Sequence, residues 1–422
     1  MERSYIRDIK EGESVLLNGW VQEVRNVGKM KFILLRDITG IIQGVIADKK
    51  LLDSVPSIES VVSVSGKVKS AKIKSEDVTR KDIEIGVEKI EVLNEAENLP
   101  ISVTEKTITT SLPNRLDYRF IDIRKREIAA IFKIQSEIMH SFREHFYGKG
   151  FLEVVPPSVI SAASEGGTDL FEVKYFEKKA YLAQSPQLYK QMLACSLEKV
   201  FMITPVWRAE KHNTIRHLNE SRQMDIEAAY TDQISIMKEL EGCVRFIVEN
   251  VIRRCAEELK ILKVELKVPK GVYLDYENAI KKVGGKIGED FTPEQEKKLC
   301  DMYPGDIVFT HSWPSSIKPF YIMPRGEDPK SKVSEGFDAL YGGVEISSGG
   351  QRIHLAKLLA ERIKAKKLNP KNFESYIDSF KYGSPQHSGW SIGLERFTQT
   401  LLGLNNIREA VLFPRDRDRL TP

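Results

Sequence analysis

Four short stretches of this 422-residue chain gather side chains able to bind phosphate, carboxylate or a hard cation. In VFMITPVWRAEKHNTIRHLNESRQMDIE, residues 200–227, two strand-like runs flank a polar loop. Arg208 and Glu210 lie two apart, so they share one face of a strand, while Arg216, His217 and Leu218 fall in the loop. A forked guanidinium suits phosphate or carboxylate. In GSPQHSGWSIGLERF, residues 383–397, small residues precede a helix that carries Arg396 one turn inside, and its glycines would let backbone or ligand approach closely. In YGGVEISSGGQR, residues 341–352, Glu345 and Ser348 supply hard oxygens at the end of a strand, and Arg352 follows a Gly-Gly turn. Mg²⁺ takes few protein carboxylates and leans on substrate phosphates. In residues 164–192, Glu165 precedes a Gly-Gly turn, and Gln187 and Lys190, three apart, face the same way if a helix starts at Ser185. Ser185-Pro186 suits an N-cap and a first helical residue.

Taken singly, each stretch also has a plainer reading. The first could be a charged hairpin on a solvated sheet, and the second a Gly-rich turn with an exposed arginine. Glu345 could ligate nothing, and Lys190 could simply face solvent.

The elements that must position these groups divide the chain. Residues 1–95 are rich in Val and Ile and read as short strands, with Ile83, Ile85 and Val87 on one face of an alternating run. Strands this short in so small a segment fit an OB-type barrel. Residues 96–125 read as a linker, with two prolines and little periodicity between 97 and 114. Ile128, Ile131, Phe132, Gln135, Ile138, Phe142 and Phe146 then fall at helical spacing, up to Gly148 and Gly150. From there strand-like runs alternate with helices, including 233–262 and 353–367. That mixture predicts an α+β domain over 126–422, a largely antiparallel sheet flanked by helices.

Composition removes several classes. Hydrophobic residues are 41% and charged residues 29%, an ordinary globular balance. The net charge of +4 permits nucleic-acid binding without arguing for it, since partners are set by local patches. Basic residues are dense over Lys67–Lys81 and Arg352–Lys371. The four cysteines form no C-x-x-C pair, which leaves no zinc spacing and no dense disulfide framework. No apolar run approaches the ~18 residues of a membrane helix. A cytoplasmic location is expected.

Together the four stretches resemble the class II aminoacyl-tRNA synthetases. Phe151–Pro157 looks like motif 1 of that class. Residues 200–227 look like motif 2, reading R-A-E-x₆-H-L-x-E at Arg208, Ala209, Glu210, His217, Leu218 and Glu220. Residues 389–397 look like motif 3, with Gly393, Leu394, Glu395 and Arg396 as G-L-E-R. Within the class, Ser185-Pro186-Gln187-Leu188-Tyr189-Lys190 and ISSGGQR at 346–352 resemble the aspartyl enzymes, and the ending LFPRDRDRLTP is similar to their archaeal type. Arg208 and Arg396 lie 188 positions apart, which leaves no room for the large inserted domain of the bacterial branch.

The resemblance implies a two-step ligase reaction. L-aspartate attacks the α-phosphorus of ATP, and the aspartyl group then passes to the 3′ end of tRNA(Asp), or of tRNA(Asn) as well. It implies catalytic roles for Arg208, Glu345 and Arg396. Arg208 would bridge the α-phosphate and the amino acid carboxylate, and Glu210 would contact the adenine side. Ala209, Arg216, His217, Leu218, Gly393, Leu394 and Glu395 would complete the ATP site. Glu345 and Ser348 would carry Mg²⁺. Around the aspartate it places Glu165, Gln187, Leu188, Tyr189, Lys190, Arg208, Ser348 and Arg352, with Lys190 and Arg352 as the cations. The barrel would read the anticodon through Phe32, Gln43 and Gln22, and motif 1 would form a homodimer. Gln22 stands where strict relatives carry Trp and relaxed ones His, and matches neither. The alternatives are an asparaginyl enzyme and a non-catalytic RNA-binding paralogue.

Overall fold

A computed structural model describes residues 2–104, 108–161 and 170–422, in two units, Met1–Lys125 and Arg126–Pro422. Glu165 lies outside the described residues.

Alternation builds the first unit. Its strands are β1 (Arg3–Ser4), β2 (Ser14–Val27), β3 (Met30–Arg36), β4 (Ile41–Ile46), β5 (Val61–Ser70) and β6 (Ile83–Asn94). They run in the order β1-β2-β3-β4-β6-β5, and β2 also pairs with β5, which closes the expected barrel. Every second residue points inward: Val15 and Leu17, Ile33 and Leu35, Val62 and Val64, Ile83, Ile85 and Val87. Closure leaves β2–β6 no free edge in the ring. A register shift between Val21 and Glu23 makes Gln22 the extra residue of a β-bulge, a device that re-aims side chains.

The second unit is an eight-stranded sheet in the order β13-β14-β15-β16-β17-β12-β11-β7. Its members are β7 (Leu152–Glu153), β11 (Lys199–Trp207), β12 (Glu220–Ala229), β13 (Gly271–Asp275), β14 (Ile307–His311), β15 (Gly336–Tyr341), β16 (Val344–Gln351) and β17 (His387–Gly393). The pairings are antiparallel except β13–β14 and β11–β7 at the two edges. A small sheet holds β8 (Val159–Ile160), β10 (Lys178–Leu182) and β9 (Glu172–Tyr175).

The sheet has one apolar face and one polar face because β12 alternates. Met224, Ile226 and Ala228 are buried on the apolar side, while Gln223, Asp225 and Glu227 point the other way. The helix Arg126–Gly148 covers the apolar face with Phe142 and Phe146. Their ring centroids lie 5.8 Å and 5.9 Å from that of Phe201 on β11, and 6.2 Å and 5.7 Å from that of Trp390 on β17. Removing either phenylalanine would cost about 3–5 kcal/mol. The helix expected over 233–262 is two: Gln233–Arg254 and Ala256–Leu262, parted at Cys255, whose φ of −117° and ψ of 30° leave the helical region. The helix expected over 353–367 covers Ala356–Ala365.

Candidate active site

The polar face of β12, β16 and β17 floors a cleft of about 270 Å³. Gln187, Arg208, Glu210, Arg216, His217 and Leu218 line it from one side of the sequence. Glu345, Ser348, Arg352, Gly393, Glu395 and Arg396 line it from the other. Segments far apart in the chain thus converge on one cavity, and the plainer reading of each stretch alone no longer accounts for them together. Leu188, Tyr189, Lys190, Ala209 and Leu394 do not line the cleft. Leu188 packs on the cluster around Phe320 and Tyr376, and Leu394 is buried.

Lys190 is not a surface residue. It sits in the helix Gln187–Leu197, fully buried, and its Nζ donates to Asp225 Oδ1 at 2.7 Å and to the Trp390 carbonyl at 3.1 Å. The helix begins one residue later than expected, with Ser185 Oγ accepting from Gln187 N–H. Arg352 gives Nε to Glu227 Oε1 at 2.9 Å and Nη2 to Glu227 Oε2 at 3.3 Å, and it also lines the cleft. Glu227 Oε2 is 3.7 Å from Lys190 Nζ, which joins both pairs into one buried set of two cations and two anions. Buried charges persist when paired in this way. Ser391 Oγ, on the cleft wall, donates to Asp225 Oδ2 at 3.2 Å. Gly389 makes room for this set, since a Cβ there would meet Glu227 Oε2 at 2.2 Å.

Glu345 and Ser348 are three apart, which in a regular strand would send them to opposite faces. A register shift between Ala339 and Leu340 makes Ile346 an extra residue, and this returns both to one face. Asp338, paired directly with Ser348 across the hairpin, joins them there. Burial, and after it the negative charge of Asp338, pushes the Glu345 carboxyl up to about 7. The site therefore favours a cation beside these oxygens, and Lys318 Nζ already donates to Asp338 Oδ1 at 2.6 Å. Among the described residues no group of three His, Cys, Asp or Glu side chains could cage a metal. An ion completed by substrate phosphates fits that donor set. Arg396 Nη1 donates to the Glu345 carbonyl at 3.0 Å, which fixes the guanidinium at the same place.

Glu395 accepts from Arg222 N–H at 2.9 Å and ties the helix Leu394–Leu402 to β12, and burial raises its pKa. Burial likewise lowers the pKa of His217, so the ring is neutral at pH 7 and Thr214 Oγ1 contacts its Nδ1.

Spacing alone missed Asp225, Glu227, Lys318 and Asp338. Asp225 and Glu227 carried a usable signal, since they alternate with apolar residues in Gln223–Ala228. Lys318 and Asp338 carried none, because Asp338 is placed by strand pairing and Lys318 by the turn segment that lays it against Asp338.

On the barrel, Phe32 opposes Val45 and Gln43 opposes Leu34, so the two lie on the outer face of neighbouring strands, one diagonal step apart. Phe32 is half-buried and is not among the side chains that fill the barrel. Gln43 Nε2 donates to Glu84 Oε2 at 2.9 Å, and Gln22 Oε1 lies 3.4 Å from Arg36 Nη1.

Residues 111–417 match the family described as tRNA synthetases class II (D, K and N), and residues 15–93 match the OB-fold nucleic acid binding domain. The chain is 43% identical to the aspartate–tRNA(Asp) ligase of Thermoplasma acidophilum and 44% identical to the aspartate–tRNA(Asp/Asn) ligase of Archaeoglobus fulgidus, covering 100% of each chain in both cases. Among solved structures it is similar to asparaginyl-tRNA synthetase from Pyrococcus horikoshii complexed with asparaginyl-adenylate, with a TM-score of 0.92, 34% identity and 100% of each chain covered.

Proposed function

The chain belongs to the class II tRNA synthetases, and on that footing we propose that it is an aspartate–tRNA ligase. It activates L-aspartate with ATP, releasing pyrophosphate, and passes the aspartyl group to the 3′ end of tRNA(Asp). The observation that carries the choice of amino acid is the buried set Lys190, Asp225, Glu227 and Arg352, which opens on the cleft at Arg352. A substrate carboxylate can add a charged partner to the Arg352 fork there, which a neutral amide cannot.

Chemistry at phosphorus needs positioning and charge stabilisation more than a protein nucleophile. Arg208 and Arg396, both on the cleft, hold the phosphates in line. Glu210, Arg216, His217 and Leu218 hold the nucleotide, with the neutral His217 ring available as a hydrogen-bond partner. Glu345, Ser348 and Asp338 would hold Mg²⁺, which when bound neutralises charge that builds up on the phosphates. Gln187 orients the amino acid.

The fold of the Pyrococcus asparaginyl enzyme is closely similar, and overall likeness does not separate the two amino acids. Lys190 separates them through Glu227: its ammonium offsets part of that carboxylate's charge, which leaves Arg352 on the cleft able to take a substrate carboxylate. A non-catalytic RNA-binding role is disfavoured by Arg208, Glu345 and Arg396, which meet in one cleft.

Two further parts belong to this reading. The barrel binds the anticodon, with Phe32 as a stacking platform and Gln43 and Gln22 as edge readers. Two copies pair through motif 1, where Val155 is 93% exposed and Leu152 50%, apolar surface that a second copy would cover. No helix of the described residues is long and apolar enough to cross a membrane, and we place the enzyme in the cytoplasm.

Aspartate-dependent exchange of pyrophosphate into ATP tests the reading. Exchange with aspartate and not with asparagine supports it. Exchange with asparagine alone, or with neither, overturns it.

A further inference from the structure

We propose that Arg408 and Asp416 are positioning residues: together with the C-terminal segment 414–419 they clamp the 210–219 loop in the shape that receives ATP. This rests on the reading of that loop as the nucleotide-binding loop.

The loop has no regular structure of its own between β11 and β12. It also carries the cations Lys211 and Arg216. Its backbone is nevertheless held at four places from a single region, and the Asn213 side chain is held from there as well. Asn219 N–H donates to the Arg415 carbonyl at 2.9 Å, and Ile407 N–H donates to the Ile215 carbonyl at 2.9 Å. Arg417 Nη1 donates to the Lys211 carbonyl at 3.2 Å. Arg408 Nη1 donates to the Thr214 carbonyl at 3.1 Å, and its Nη2 donates to Asn213 Oδ1. Asn213 Nδ2 in turn donates to Asp418 Oδ2.

Arg408 is the centre of this arrangement. Its guanidinium is nearly buried, and its Nε donates to Asp416 Oδ2 at 2.5 Å. A planar fork can serve three partners in fixed directions, which a lysine cannot do. Asp416 is itself fixed, because its Oδ1 accepts from the backbone N–H groups of Asp418 and Arg419, both at 2.9 Å. The chain of contact runs from Asp416 through Arg408 to Thr214, and Thr214 Oγ1 meets His217 Nδ1 on the cleft. Neither Arg408 nor Asp416 lines the cleft. Their effect on ATP therefore passes through the loop: the clamp meets the ordering entropy before the ligand binds, which raises affinity.

The test uses the full-length Asp416→Asn protein, with Arg408→Lys as the conservative partner and Asp418→Ala as a surface variant in case Asp416→Asn folds poorly. Two readouts are taken. Hydrogen exchange of loop amides 213–219 in the ligand-free protein reads the clamp directly. Pyrophosphate exchange, run across ATP and then across aspartate, reads its consequence. Asp416→Asn should speed exchange of the loop amides and raise the KM for ATP about tenfold, as expected for loss of a hydrogen bond to a charged group. The KM for aspartate should not move, and Arg408→Lys should be at least as impaired as Asp416→Asn, since a lysine cannot keep the bonds to both Thr214 and Asn213. Unchanged loop protection in folded Asp416→Asn and Asp418→Ala would overturn the clamp, as would equal rises in both KM values. A wild-type protein with no aspartate-dependent activity would instead overturn the ligase reading, while loop protection would still decide the clamp.

Discussion

Lys190 Nζ lies 2.7 Å from Asp225 Oδ1, with both side chains 1% exposed. The ammonium has three donors, and two go to Asp225 and the Trp390 carbonyl. The third faces Glu227 Oε2 at 3.7 Å, so the ammonium is locked against Asp225 and against Glu227, the carboxylate that holds Arg352 at the cleft.

Lys190→Met should therefore lose aspartate affinity while sparing ATP. Removing one partner of a buried ion pair costs about 3–5 kcal/mol, since the other charge is left uncompensated. Part of that loss would appear as lower thermal stability, because Asp225 remains buried. The check is KM for each substrate in pyrophosphate exchange, beside a melting curve. An unchanged aspartate KM would make Lys190 a purely structural cation.

Asp338 faces Ser348 across the β15–β16 hairpin, and its charge helps raise the Glu345 carboxyl. If these oxygens carry Mg²⁺, Asp338→Asn should raise the Mg²⁺ concentration needed for half-maximal exchange by about tenfold, the size of one lost charged contact. Titration of activity against Mg²⁺ at fixed ATP measures it. A variant with the wild-type Mg²⁺ requirement would leave Asp338 as the partner of Lys318 alone.

Glu239 ties the two long helices together, pairing with His145 Nε2 and Lys149 Nζ at 2.8 Å each. Burial would raise its pKa, but the bonds from His145 and Lys149 outweigh burial and hold it below the usual carboxylate range. The folded state thus binds this proton less tightly than the unfolded chain. Its stabilisation is present above the unfolded pKa of about 4.3 and is lost as pH falls through the lower folded value. Glu239→Gln should cost about 1–2 kcal/mol at neutral pH. Melting curves should show the gap between variant and wild type closing in acid. A gap that stays constant across that range would assign the loss to packing.

Phe32→Ala should leave pyrophosphate exchange intact and weaken charging of tRNA through a higher tRNA KM. A base stacked on an aromatic ring contributes about 1–3 kcal/mol. Gln43→Ala should weaken charging too and also relax selectivity at one anticodon base, since an amide reads a base edge. Transcripts that differ at single anticodon positions measure both. Wild-type charging of all of them by Phe32→Ala would remove Phe32 from the anticodon surface.

The barrel was legible because half-buried strands write a period of two, as at Ile83, Ile85 and Val87. The long helix was legible from the spacing of Ile128 through Phe146. Arg208, Glu345 and Arg396 could be named because they stand in ordered motifs. What stayed hidden is what only pairing creates. Nothing local places Glu227 against Arg352, 125 positions away, or Asp338 opposite Ser348. The bulge at Ile346 is an irregularity, and without it regular strand spacing would set Glu345 and Ser348 on opposite faces. The clamp from Asp416 to the loop likewise joins segments about 200 residues apart.

The central claim is most directly tested by charging. The purified chain, with ATP, Mg²⁺ and a tRNA(Asp) transcript, is supplied with labelled aspartate or labelled asparagine, and acid-precipitable aminoacyl-tRNA is counted. The account predicts label on the tRNA from aspartate and none from asparagine. Label from asparagine with none from aspartate would contradict it, and so would no label from either amino acid while the protein remains folded.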